Sequence, residues 1–134
     1  MKISGSCLCK KITFRIEQAI SRFAICYCSR CRKATGSAHA SNLFIKPDKI
    51  EWISGVDNIK RFELPEAQRF AKAFCDTCGV PVPCLSRDAK RYLIPAGCLD
   101  DDPGISPDIR IYNKDKANWY RGLDAIPVFD GPPK

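Results

Sequence analysis

Nine cysteines stand against a single histidine, His39, and seven of the nine fall into three tight clusters. Cys7-Leu8-Cys9 is a C-x-C, Cys26-Tyr27-Cys28-Ser29-Arg30-Cys31 a C-x-C-x-x-C, and Cys75-Asp76-Thr77-Cys78 a C-x-x-C followed by Gly79. One or two intervening residues let neighbouring thiolates reach a common ion about 2.3 Å from each sulfur with little chain distortion. Gly79 permits the left-handed turn that such a knuckle needs. An odd cysteine count would leave one thiol over in a complete disulfide set. The opening Met-Lys-Ile-Ser-Gly-Ser-Cys lacks an apolar run of signal-peptide length, and no window approaches a membrane span. The expected setting is therefore cytoplasmic with no membrane association, where clustered thiols serve as metal ligands rather than disulfides.

Seven ligands divide as four plus three. A structural zinc takes four protein ligands, whereas a catalytic zinc keeps three and an open position. Cys26, Cys28 and Cys31 come from one short segment and suit the open site. Cys7, Cys9, Cys75 and Cys78 then form a closed site joining distant parts of the chain, so that metal binding is also folding free energy. Two zinc ions per chain are expected.

The rest of the chain reads as strands. Ile12, Phe14 and Ile16 alternate with polar residues, the period of a half-buried strand. Similar runs occur at 23–26, 43–45, 61–64, 69–74, 91–94 and 109–112. Turn signals separate them, including Lys46-Pro47-Asp48, Ser54-Gly55 and Asp102-Pro103-Gly104. Ten prolines and eight glycines leave room only for short helices, one of them expected over 33–40. The expectation is one mainly β domain over 1–134, built of several short, coiled antiparallel sheets stapled by zinc, with an extended tail over about 130–134.

The sequence resembles the glutathione-dependent formaldehyde-activating enzyme family, which is related to the centromere protein V proteins. The resemblance is carried by Gly5-Ser6-Cys7-Leu8-Cys9, by the segment from Cys26 through Arg32-Lys33-Ala34-Thr35-Gly36-Ser37, and by Phe74-Cys75-Asp76-Thr77-Cys78-Gly79. It continues through Ala96-Gly97-Cys98-Leu99-Asp100-Asp101 to Trp119 and Ile126-Pro127-Val128-Phe129. The resemblance implies a small β fold with two zinc sites, divided over the cysteines as ligand counting divides them. It also implies a carbon–sulfur lyase-type activity joining glutathione, or another small thiol, to formaldehyde or a related small carbonyl.

Cys26, Cys28 and Cys31 are thus the candidate catalytic ligands. Arg30, Arg32 and Lys33 lie beside them and are candidates for contact with a thiol's carboxylates. His39 and Tyr27 read as packing residues, Cys84 and Cys98 as buried small hydrophobes, and Trp52 and Trp119 as core or pocket-wall residues. Asp100, Asp101 and Asp102 read as a solvated turn.

Two readings without this chemistry compete. One is a zinc-stabilised binding module for protein or nucleic acid, the other a redox sensor releasing zinc from Cys26, Cys28 and Cys31. The net charge of +7 invites nucleic acid. Seven bound thiolates against two divalent ions would lower it to +4, and the basic residues form no stripe, so a nucleic-acid partner is not expected.

Overall fold

In the computed structural model, which describes residues 1–133, strands dominate and almost every element is five residues long or shorter. In chain order they are β1 (Lys2–Ser6), β2 (Thr13–Glu17), β3 (Arg22–Cys26), the helix α1 (Ser29–Thr35), β4 (Ala40–Ile45), β5 (Ile50–Ser54) and β6 (Ile59–Glu63). There follow β7 (Ala71–Cys75), β8 (Pro81–Val82), β9 (Cys84–Leu85), β10 (Tyr92–Pro95) and β11 (Ile109–Ile111).

They assemble into three sheets ordered β1-β2-β5, β11-β3-β4-β10-β9 and β6-β7-β8. Phe14 and Ile16 of β2 face Trp52 and Ile50 of β5, so the alternating apolar face of β2 becomes one wall of the main core. That core gathers Ile3, Phe14, Ile16, Phe23, Leu43, Ile45, Ile94 and Cys98. Strand β1 escapes a hydrophobicity count because it carries Gly5, whose missing side chain is filled by the Phe14 ring; a Cβ there would overlap that ring.

A second, thinner core holds Cys7, Ile12, Ala73, Cys75, Val82 and Cys84. It contains no buried Leu or Phe, and two of its members belong to the cysteine clusters. Trp52 packs against both cores and joins them.

Four expectations change. The sheets are antiparallel except where β11 pairs β3 in parallel, because a loop running from residue 99 to residue 108 returns the chain in the same direction instead of turning it as a hairpin. The helix lies at Ser29–Thr35 rather than 33–40. Gly36 takes φ 65°, donates its N–H to Arg32 O at 2.8 Å, and ends the helix there, so Ala40 is free to open β4. Trp119 is exposed rather than in the core or a pocket wall, with Tyr120 as its edge-on ring neighbour. The acidic run is not a simple solvated turn. Asp100 accepts from Ser6 Oγ at 2.9 Å and Asp101 from Ser4 N at 2.8 Å, fastening this loop to β1. No helix is long and apolar enough to cross a membrane.

Candidate metal centres and their cavity

The first centre is made where two knuckles meet. Cys7 follows β1 and Cys75 ends β7, with Cys9 and Cys78 on the turns after them. Each turn closes on backbone bonds: Lys10 N donates to Cys7 O at 3.1 Å, and Gly79 N donates to Cys75 O at 2.9 Å. Gly79 has φ 73°, and Lys10 supplies the equivalent left-handed residue of the first knuckle at φ 65°. The N–H groups of Ile12 and Thr77 point at the sulfurs of Cys7 and Cys75, both at 3.4 Å.

The sulfur spacing tests whether a metal fits. Four ligands about 2.3 Å from the centre of a tetrahedron lie about 3.8 Å apart. The Cys7–Cys9 and Cys9–Cys75 sulfur pairs are 3.6 and 3.7 Å apart, far beyond a disulfide bond of about 2.05 Å. All four sulfurs lie within 4.8 Å of one another, and all nine cysteines of the chain are free thiols.

The second centre uses one segment. Cys26 is the last residue of β3, Cys28 caps α1, and Cys31 sits in its first turn. The Cys28 sulfur accepts from Cys31 N at 3.3 Å, so the helix cap itself sets the C-x-x-C geometry. The three sulfurs again lie within 4.8 Å of one another.

Electrostatics ask for a cation in both places. The hydrogen bond from Cys31 lowers Cys26 to about 6. The same bond, with burial and the charge on Cys26, drives Cys31 strongly upward. In the first centre the backbone N–H of Cys9 lowers Cys78 to about 6. At Cys9 the Lys11 N–H favours the thiolate, but burial and the thiols of Cys7, Cys75 and Cys78 outweigh it and raise the group to about 11. Cys75 and Cys78 in the first cluster and Cys26 in the second are shifted toward the thiolate, while Cys9 and Cys31 are shifted away from it. A bound cation would favour full ionisation of either set.

The two centres differ in what they face. Cys26, Cys28 and Cys31 all line one large open cavity of about 1120 Å³, whereas of the first centre only Cys7 reaches it. Arg30 and Arg32 line the same cavity. Lys33 is exposed on α1 and does not line it. Cys84 and Cys98 are buried in its wall, where burial pushes Cys98 up to about 12 and also raises Cys84.

Behind the second centre, buried Tyr27 packs edge-on against His39 at 5.6 Å and lies 6.2 Å from Tyr120. Lys116 Nζ sits over both tyrosine rings, at 5.3 and 5.5 Å. His39 Nδ1 lies 3.2 Å from Ser41 Oγ, and the ring is not part of the cavity wall. His39 and Tyr27 are thus packing residues that tie the C-terminal segment to the back of the centre.

Arg69, Phe70 and Lys72 of the wall fall in the strand-like run over 69–74 and gave no functional signal in the sequence. They belong to no motif, and the fold alone brings them to the cavity, where Lys72 Nζ donates to Ala34 O of α1.

The comparisons agree with this architecture. Residues 2–115 match the family model for the glutathione-dependent formaldehyde-activating enzyme. No curated protein matches the sequence significantly. A crystal structure of a Rhodobacter sphaeroides protein superposes with a TM-score of 0.61 at 20% identity, covering 80% of this chain and 97% of that one, a likeness of fold. With its match running through both cysteine centres, the chain belongs to the glutathione-dependent formaldehyde-activating enzyme family.

Proposed function

We propose that the protein is a cytoplasmic zinc enzyme that joins a small thiol, glutathione in the first instance, to formaldehyde or a related small carbonyl. The observation that carries this reading is the difference between the two centres. Four thiols meet with only Cys7 touching the cavity, while three thiols meet with all their members on its wall.

Zinc suits an all-thiol donor set in tetrahedral spacing. Cys7, Cys9, Cys75 and Cys78 would hold a structural ion, and Cys26, Cys28 and Cys31 a second ion with a free position. When bound there, zinc supplies stabilisation of a thiolate close to the reacting carbon. Three thiolates leave such a centre with a formal charge of −1, which favours binding a thiol over activating water. In the overall reaction a sulfur–carbon bond forms and the carbonyl π bond breaks. The thiol proton ends on the former carbonyl oxygen, giving an S-hydroxymethyl adduct.

The protein's own contribution is placement. The Cys28 cap sets the turn from Cys28 to Cys31, and Tyr27, between Cys26 and Cys28, is packed against His39 and Tyr120. The cavity is large enough for a tripeptide, since pockets for ligands of that size run to about 300–1,000 Å³. Family membership supports glutathione and formaldehyde as the pair.

Native mass spectrometry tests the reading by counting zinc in the wild type and in Cys28→Ser, with and without glutathione. Two ions in the wild type, one lost in the variant, and glutathione bound only by the two-ion form is the expected result. One ion, or two with no glutathione adduct, refutes it.

A further inference from the structure

Five cations and two carboxylates line the cavity, an excess of positive charge. Six ion pairs occur among the described residues, using Lys2, Arg15, Arg22, Lys49, Arg61 and Arg87. None of these cations lines the cavity. The cations that do line it are Lys10, Arg30, Arg32, Arg69 and Lys72, and none of them pairs with a carboxylate among the described residues. Asp100 and Asp115 are the acidic residues of the wall, and Asp100 is already engaged by Ser6.

Two of the five cations hydrogen-bond through their side chains to backbone carbonyls, Arg32 Nε to Tyr27 O at 3.3 Å and Lys72 Nζ to Ala34 O. Lys72 is half-buried; its ammonium donates to Ala34 O near the end of α1 at 3.2 Å and lies 5.3 Å from the centre of the Phe74 ring. That contact uses one of its three N–H donors and leaves two. The exposed Arg69 side chain makes no hydrogen bond, and only the backbone on either side of it is fixed. Arg87 Nη1 donates to the carbonyls of Ala67 at 2.8 Å, Leu64 at 3.2 Å and Phe70 at 3.5 Å, bracketing Arg69 on both sides. A charge held as that of Lys72 is loses less freedom on binding an anion than a free surface side chain does. Phe70, beside them, gives the same wall an apolar surface.

We propose that Arg69 and Lys72 form a carboxylate-recognition wall that makes the cavity selective for an anionic thiol over a neutral one. The inference rests on the thiol reading above and deepens it, because glutathione carries a carboxylate at each end and a thiol between them. Arg30 and Arg32 approach from α1, and Arg69 and Lys72 from the β7 side. A thiol seated at Cys26, Cys28 and Cys31 then has cationic partners in two directions. Both wall residues are specificity determinants, since neither belongs to a cysteine centre.

The test compares glutathione with its diethyl ester, which keeps the thiol and masks both carboxylates. Calorimetric binding is measured on the zinc-loaded wild type, Arg69→Gln and Lys72→Met, with zinc content checked in each. The wild type is expected to prefer the free acid by about tenfold or more, the scale of one charge-assisted hydrogen bond. Each variant should lose most of that preference while binding the ester as before. A preference undiminished in both variants overturns the wall, and equal wild-type affinity for acid and ester overturns it as well. If Lys72→Met fails to fold for want of its Ala34 contact, Arg69→Gln alone decides, because that side chain has no hydrogen bond to lose. Wild-type protein that binds neither thiol brings down the thiol reading together with the wall. Preference retained in the variants removes only the wall.

Discussion

Replacing Cys75 with Ser separates the two centres by their effect on stability. Cys75 is completely buried, and its sulfur meets that of Cys9 across a sequence separation of 66 residues. A cross-link closing a loop of that size removes denatured-state entropy amounting to about 4 kcal/mol at 25 °C. A metal bridge does the same while it holds. Cys26 and Cys31 are only five positions apart, and the same relation gives about 2 kcal/mol for a bridge between them. Domains of this size have about 5–15 kcal/mol in total. The thinner core around Cys7 and Cys75 offers little else to hold its sheets together. Cys75→Ser should therefore lower the melting temperature by roughly 10–20 °C, and Cys28→Ser by about half as much. Urea unfolding of the zinc-loaded wild type and both variants, followed by circular dichroism, measures the difference. Equal losses, or a larger one for Cys28→Ser, would refute the assignment of the first centre as the staple.

Alkaline pH should weaken the fold through Cys98. Burial raises its thiol from 9.0 to about 12, so the stability it contributes is intact below pH 9 and is lost as pH rises from there through about 12. Urea midpoints at pH 8 and 10.5 should converge in Cys98→Ala relative to the wild type, and an unchanged pH slope would contradict this. Gly5→Ala should destabilise by about 1–3 kcal/mol, because the added methyl must displace the Phe14 ring from the middle of the main core. A melting temperature equal to the wild type's would show that the ring has room to move.

Elements with an unbroken period were legible in advance. The alternation of Ile12, Phe14 and Ile16 gave β2, and the turn signals at Pro47 and Gly55 bracket β5 even though its own residues were not read as a strand. Strand β1 was not legible because its fit depends on a missing side chain beneath Phe14, a relation between two strands. The helix was misplaced because its start is set by the Cys28 sulfur acting as cap and its end by Gly36, whereas composition alone favoured the stretch after the cluster. The parallel pairing of β11 with β3 required knowing where a long loop returns.

Sequence by itself determined which thiols lie together locally. Thiols one and two residues apart form knuckles wherever the chain goes, because local geometry alone brings their sulfurs together. Tertiary structure decided what those knuckles face. Lys33, five residues after Cys28, stands exposed on the short helix, away from the cavity. Lys72 is 38 residues from the helix carbonyl to which it donates, and lines the cavity with it. Nearness along the chain pairs the thiols within each knuckle, while nearness in space joins Cys9 to Cys75 and gathers the charges that line the cavity.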